Sequence, residues 1–106
     1  MALRNLGVIG VGHLGYHHAR LYHAMEHVTL AGVADPNPAA RKKIQQDFEG
    51  VPVYENTAAL LASGLDGVSI VAPTSEHSAL TWQALEAGVH VLVEKPMAAT
   101  DRKSVV

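Results

Sequence analysis

One stretch of the chain, residues 8–15, constrains the fold more than any other. It reads Val-Ile-Gly-Val-Gly-His-Leu-Gly, an apolar run followed by glycines spaced G-x-G-x-x-G and by a sequence that can continue as a helix. The pattern predicts a buried strand that turns tightly into a helix N-terminus. Gly10 allows the turn, Gly12 leaves room for a phosphate beside the backbone, and Gly15 lets the helix pack close to the strand. The first helical turn then offers unpaired N–H groups to an anion, although such spacing also arises for packing alone.

Composition excludes several classes of protein. The chain has 106 residues, a net charge of −2 and no basic block, which argues against a nucleic-acid or anionic-membrane partner. It has no cysteine, so disulfides and thiolate chemistry are excluded. The N-terminus lacks the apolar core of a signal peptide, and no apolar run approaches the roughly 20 residues of a membrane span. We therefore expect a cytoplasmic protein.

Strand and helix patterns alternate along the chain. Strands are predicted at residues 6–9, 28–34, 51–54, 67–72 and 89–93, and helices at residues 13–27, 38–48, 58–62 and 76–87. The expected helix caps and stops are Asn37 before Pro38, Asn56 or Thr57, Gly64, Ser75 and Gly88. Short connections and right-handed crossovers would place helices on both faces of the sheet. We predict an α/β fold, a doubly wound parallel sheet of strand order 3-2-1-4-5.

Asp35 gives the glycine turn a chemical context. It lies twenty residues past Gly15, at the end of the second predicted strand, where a dinucleotide-binding fold places the carboxylate that accepts hydrogen bonds from the adenosine ribose. A 2′-phosphate about 4 Å from it would cost on the order of 4 kcal/mol per unit charge at an effective dielectric constant near 20, less after screening, which favours NAD over NADP. Arg41 and Lys42 could weaken that preference if their helix leans over the site, but we expect them to form a solvated face. Asp35 could instead simply start an Asp-Pro turn.

Two further segments follow predicted strands and would face the same crevice. Pro73 and Thr74 would line the cofactor groove, and His77 would contact the ligand or be an ordinary residue of the first helical turn. After the fifth strand, Glu94 and Lys95 precede a proline. Lys95 could direct its ammonium at a substrate oxygen beside the nicotinamide, or the two could form an exposed ion pair of little energetic consequence.

The histidines do not predict a metal site. His13 and His17 are four residues apart, as are His23 and His27, and a helix places such pairs on one face. Zinc sites usually need a third ligand at a defined spacing, and nothing in the chain supplies one. We predict no metal.

These motifs together resemble the N-terminal half of the Gfo/Idh/MocA oxidoreductases. The resemblance rests on the glycine turn at residues 10–15, His18-Ala19, Val33-Ala34-Asp35, residues 73–77, residues 87–91 and Glu94-Lys95-Pro96. It implies a Rossmann domain that binds NAD(P), then an α/β substrate domain, and reversible oxidation of a sugar or cyclitol hydroxyl. It also implies that Lys95 is the catalytic lysine and that Asp35 is the ribose-binding acid.

The chain also departs from the family pattern. The family's substrate domain carries the catalytic histidine, its neighbouring acid and the surface used for oligomerisation, and none of these can be assigned here. Thr100 resembles a helix cap, yet only six residues follow it, too few for a stable helix. We expect residues 1–106 to be one dinucleotide-binding Rossmann domain, a fragment truncated before the last strand and the substrate domain.

The sequence thus predicts the NAD(P)-binding domain of an oxidoreductase that transfers a hydride between a nicotinamide cofactor and a sugar or cyclitol. This fragment alone would be inactive. The alternative is a non-catalytic module that binds dinucleotide or docks a partner, and the exposed sheet could drive self-association into a homo-oligomer. The predicted catalytic residue is Lys95, and the predicted cofactor-binding residues are Gly10, Gly12, His13, Leu14, Gly15, Asp35, Pro73, Thr74, His77 and Glu94.

Overall fold

Five parallel strands form a single sheet. A computed structural model describes residues 4–71 and 74–93. The strands are β1 (Asn5–Ile9), β2 (Thr29–Ala34), β3 (Val53–Tyr54), β4 (Gly67–Ile70) and β5 (His90–Val93). Their order is β3-β2-β1-β4-β5, and every neighbouring pair is parallel. The predicted fold class and strand order are confirmed.

Helices cover both faces of the sheet because successive strand residues point to opposite sides. The helices are α1 (His13–Ala24), α2 (Pro38–Asp47), α3 (Thr57–Leu61) and α4 (Thr74–Glu86). On β1, Val8 belongs to a buried cluster with residues of α1 and α2, and its neighbour Ile9 belongs to a second cluster with residues of α3 and α4. β1 is therefore buried on both faces, as its continuous apolar sequence predicts.

Two predicted helix caps are confirmed. The Asn37 side chain accepts a hydrogen bond from the Ala39 N–H (2.8 Å) at the start of α2, and Asn56 accepts one from the Ala59 N–H (2.9 Å) at the start of α3. Each such cap stabilises its helix by about 1 kcal/mol. Beyond α4, Gly88 has a φ of +78°, the left-handed conformation expected of glycine just past a helix.

Two predicted helix boundaries are wrong. α1 ends at Ala24 rather than at residue 27, because Met25 has extended backbone angles (φ −78°, ψ 136°) that a helix cannot continue. α4 already includes Thr74, so Ser75 lies inside the helix and cannot be its N-cap, which by definition stands outside the helical residues. The remaining bounds shift by one or two residues at their ends.

One end of α1 is fixed to α2 by polar and aromatic contacts. The Tyr16 hydroxyl donates a hydrogen bond to Asp47, and this bond raises the pKa of Tyr16 and lowers the pKa of the Asp47 carboxyl. The Lys43 ammonium lies 3.5 Å from Asp47 and 4.8 Å from the centre of the Tyr16 ring. Tyr16 also packs against Phe48. These contacts hold the helix that follows the glycine turn beside α2.

A buried serine fixes the other flank of α1 to the sheet. Ser69 of β4 is 1% exposed, and its hydroxyl lies 2.6 Å from the Tyr22 hydroxyl and 3.3 Å from His18 Nδ1. A buried hydroxyl needs such partners because leaving it unpaired is costly. The position of α1 on the sheet is therefore determined by specific hydrogen bonds as well as by apolar packing.

None of the helices in the described ranges has the length and hydropathy required to cross a bilayer.

Candidate functional site

The glycine turn brings the end of β1 and the start of α1 into close contact. Gly10 has a φ of +91°, a conformation that L side chains rarely adopt, and its N–H donates to the Ala34 carbonyl (2.8 Å). A β-carbon added at Gly15 would lie 2.7 Å from the Gly10 carbonyl carbon and would overlap its oxygen. The predicted packing roles of these two glycines are confirmed.

Gly12 differs from both, because no atom of residues 4–71 or 74–93 that the structure describes lies within 4 Å of a β-carbon placed there. It is the N-cap residue of α1, it makes no side-chain cap, and the first turn of the helix contains no acidic residue. The helical hydrogen bonds of α1 start at the Tyr16 N–H, which donates to the Gly12 carbonyl (2.9 Å). Open space beside an uncapped helix N-terminus is the environment that a diphosphate requires.

The Asp35 carboxylate lies beside the same turn. Its Oδ2 accepts a hydrogen bond from the Val11 N–H (2.8 Å), and its Oδ1 accepts one from the Asn37 N–H (2.8 Å). The second bond is the local turn that the Asp-Pro interpretation predicts, and the ribose-binding role of Asp35 stays a prediction. A carboxylate has about four acceptor sites, which leaves capacity for two hydroxyl groups of a ribose.

A groove of about 500 Å³ runs along the carboxyl edge of the sheet. Its lining includes three residues predicted from the sequence, Gly10, Gly12 and Asp35. The fit of the groove to a dinucleotide rests on two groups at once: the open backbone at Gly12, which suits a diphosphate, and the Asp35 carboxylate, which suits ribose hydroxyls.

The groove also contains residues that the sequence analysis missed. Glu55 and Asn56 line it from the loop after β3, Thr57 lines it from the start of α3, and the half-buried side chain of Leu80 lines it from α4. The sequence contained a signal for these three residues, since they follow a strand and ligands of such sheets bind beyond the carboxyl ends of strands. They were overlooked because β3 is only two residues long and its end carries no glycine motif.

The basic residues of α2 have separate environments. The Arg41 guanidinium donates to the backbone carbonyl of Asp35 (2.8 Å), so this cation is held against the end of β2. Lys42 is exposed. Arg41 therefore does not belong to a solvated face, because its guanidinium bonds to the backbone of the residue whose carboxylate it could counteract.

The other predicted residues divide into two groups. His13 and Leu14 are the first two residues of α1, and Thr74 and His77 lie in the first turn of α4, which follows β4 at the same edge of the sheet. Pro73, Glu94 and Lys95 lie outside the described residues. Their predicted roles in binding and catalysis stay predictions.

In the described ranges, no three side chains of the metal-binding types stand close enough together to hold an ion. Of the paired histidines, His23 packs against Phe48 with ring centres 5.0 Å apart.

Comparison with known proteins identifies the family. Residues 4–104 match the Gfo/Idh/MocA family model, described as an oxidoreductase family with an NAD-binding Rossmann fold. UDP-N-acetylglucosamine 3-dehydrogenase of Acidithiobacillus ferrooxidans is 47% identical over 90 residues, which cover 85% of this chain and 28% of that protein. An inositol 2-dehydrogenase of Streptomyces avermitilis is 35% identical over 97 residues, which cover 90% of this chain and 28% of that protein.

A solved structure extends the likeness to three dimensions. Scyllo-inositol dehydrogenase from Lactobacillus casei, with bound NAD(H) and scyllo-inositol, superimposes with a TM-score of 0.81 at 29% identity over 90% of this chain and 28% of that one. The chain thus spans less than a third of the length of these relatives. With the fold, the glycine turn and the matched residues in agreement, the chain belongs to the Gfo/Idh/MocA family of oxidoreductases and has the family's NAD-binding Rossmann fold.

Proposed function

We propose that this chain binds NAD, in preference to NADP, in the groove beside the glycine turn. The observation that carries the proposal is the juxtaposition of the open Gly12 backbone with the Asp35 carboxylate, which accepts a hydrogen bond from Val11 in the same turn. The first-turn N–H groups of α1 would hold the pyrophosphate, and Asp35 would accept hydrogen bonds from the adenosine ribose. NADP is disfavoured because its 2′-phosphate would be repelled by that carboxylate.

We further propose that the chain acts as the cofactor-binding part of a dehydrogenase for a sugar or cyclitol. The relatives support this substrate class, since they include enzymes named for UDP-N-acetylglucosamine and for inositols. When bound, the nicotinamide supplies the hydride acceptor or donor. Lys95 is the proposed catalytic residue, whose ammonium would stabilise negative charge on the substrate oxygen during the transfer. The absence of cysteine among the 106 residues suits the reducing cytoplasm, where we propose that the protein resides.

Calorimetric titration of the 106-residue chain with NAD and with NADP tests the cofactor proposal. We expect NAD to bind at least about tenfold more tightly, because repulsion at Asp35 remains significant after screening. The Asp35→Asn variant should weaken NAD binding by about tenfold, since a hydrogen bond to a charged group contributes roughly 1.5–3 kcal/mol, and should reduce the discrimination against NADP. Glu49→Gln, an exposed charge change beyond the far end of α2, is the matched control.

Failure of a folded chain to bind either dinucleotide would refute the cofactor proposal. Equal affinity for NAD and NADP would refute only the role of Asp35 in selection.

A further inference from the structure

The groove contains a second carboxylate, and its position follows from the pairing of β2 with β3. The last paired residues of these strands are Ala34 and Tyr54, and the Asp35 N–H continues the pairing by donating to the Tyr54 carbonyl (3.1 Å). Asp35 and Glu55 are therefore the next pair in register. Neighbouring strands lie about 4.8 Å apart, and both residues line the same groove.

The negative charges of Asp35 and Glu55 are compensated by neighbouring groups to different extents. Asp35 accepts hydrogen bonds from two backbone N–H groups, and the Arg41 guanidinium is bonded to its carbonyl. Glu55 is exposed, and its carboxylate takes part in no hydrogen bond or ion pair with the side chains and backbone groups that the structure describes. The described lining of the groove contains no lysine, arginine or histidine. Glu55 therefore contributes the less compensated of the two negative charges.

We propose that Glu55 is a second determinant of cofactor choice, which repels the 2′-phosphate of NADP and leaves NAD unaffected. The inference rests on the proposed function, because it assumes that the adenosine ribose binds at Asp35. The two acidic residues act on the same phosphate from adjacent strand ends, and their effects accumulate. Replacing Asp35 alone will therefore leave part of the repulsion of NADP in place.

The expected effect is moderate. A phosphate about 8 Å from Glu55 is separated from it by roughly one Debye length at physiological salt. At an effective dielectric constant near 20, one carboxylate charge at that distance should weaken NADP binding by about threefold to tenfold after screening. NAD has no phosphate at that ribose and should be insensitive to the charge.

The test is calorimetric titration of Glu55→Gln with NAD and NADP at low and high salt. We expect NADP to bind threefold to tenfold more tightly than to the unmodified chain at 50 mM salt, with NAD affinity unchanged within about twofold, and the gain to shrink at 500 mM salt because it is electrostatic. Combining Glu55→Gln with Asp35→Asn should improve NADP binding relative to NAD beyond either single change. Glu26→Gln, an exposed charge change just beyond the far end of α1, should alter neither affinity.

Three results would overturn the inference. If Glu55→Gln changed neither affinity, the carboxylate would be too far from the phosphate to act. If Glu55→Gln weakened NAD and NADP equally, the Glu55 carboxylate would instead accept a hydrogen bond from a part of the ligand common to both, such as the adenine amino group. If the unmodified chain bound no dinucleotide, the proposed function itself would fail, and that outcome is distinguishable because it precedes any comparison of variants.

Discussion

Gly15→Ala should destabilise the protein severely. The new methyl group would lie 2.7 Å from the Gly10 carbonyl carbon and would overlap the oxygen bonded to it. Carbon atoms pack favourably at about 3.5–4.0 Å, so the start of α1 must retreat by at least about 0.8 Å. The group that the methyl would meet is the backbone carbonyl of Gly10, which has a φ of +91°. This carbonyl cannot rotate away as a flexible side chain would.

The stability lost in Gly15→Ala can be compared with the total free energy of unfolding. Overpacking a rigid site usually costs about 1–3 kcal/mol and occasionally more, and here the retreat also disturbs the packing of Val11 and Ala19, which are 3% and 0% exposed. We expect a loss of about 3 kcal/mol, a more than hundredfold change in the folding equilibrium. A domain of this size has a free energy of unfolding of roughly 5–15 kcal/mol, so the variant should remain folded but marginally stable.

Gly12→Ala is the comparison variant, since a β-carbon there meets no atom of the described residues within 4 Å, although its backbone angles (φ −71°, ψ −148°) lie outside the regions that alanine prefers. Its stability should fall by about 1 kcal/mol because of that backbone strain, which is less than the loss expected from the overlap at Gly15. Its NAD affinity should fall as well, since the methyl group occupies the space proposed for the pyrophosphate.

Urea denaturation followed by circular dichroism measures the stabilities, and calorimetric titration measures the affinities. The steric reasoning is refuted if Gly15→Ala lies within 1 kcal/mol of the unmodified chain, or if Gly12→Ala loses as much stability as Gly15→Ala does.

Two further predictions concern stability. Ser69→Ala and Tyr22→Phe should each lower the free energy of unfolding by about 1 kcal/mol, because each removes one partner of the 2.6 Å hydrogen bond between α1 and β4. Urea denaturation of the double variant should show a loss smaller than the sum of the two single losses. Strictly additive losses would contradict a shared bond. The hydrogen bonds from the Asn5 and Arg4 N–H groups lower the pKa of Asp66. Ionised Asp66 therefore stabilises the fold fully above its unfolded-state pKa of about 3.9. This stabilisation is lost as the pH falls from there through the lower folded-state pKa. The difference in urea midpoint between the unmodified chain and Asp66→Asn should therefore narrow on acidification below about pH 4, and a difference that is independent of pH would exclude this role.

Local sequence determined the fold because its signals are short-range and agree with one another. The G-x-G-x-x-G spacing, the caps at Asn37 and Asn56 and the stop at Gly88 each depend on a few neighbouring residues. The end of α1 was predicted wrongly at residue 27, because no capping signal in the sequence marked the change to extended backbone at Met25.

Tertiary structure decided which residues share the groove. The sequence alone identified Gly12 and Asp35 from their spacing, but Glu55 lies twenty residues beyond Asp35, and it adjoins that residue only because β3 pairs with β2 in a particular register. The bond between Arg41 and the Asp35 carbonyl and the burial of Ser69 against Tyr22 were equally invisible from the sequence. Backbone conformation follows from nearby residues, whereas the electrostatic character of the groove depends on contacts between residues that only the folded sheet brings together.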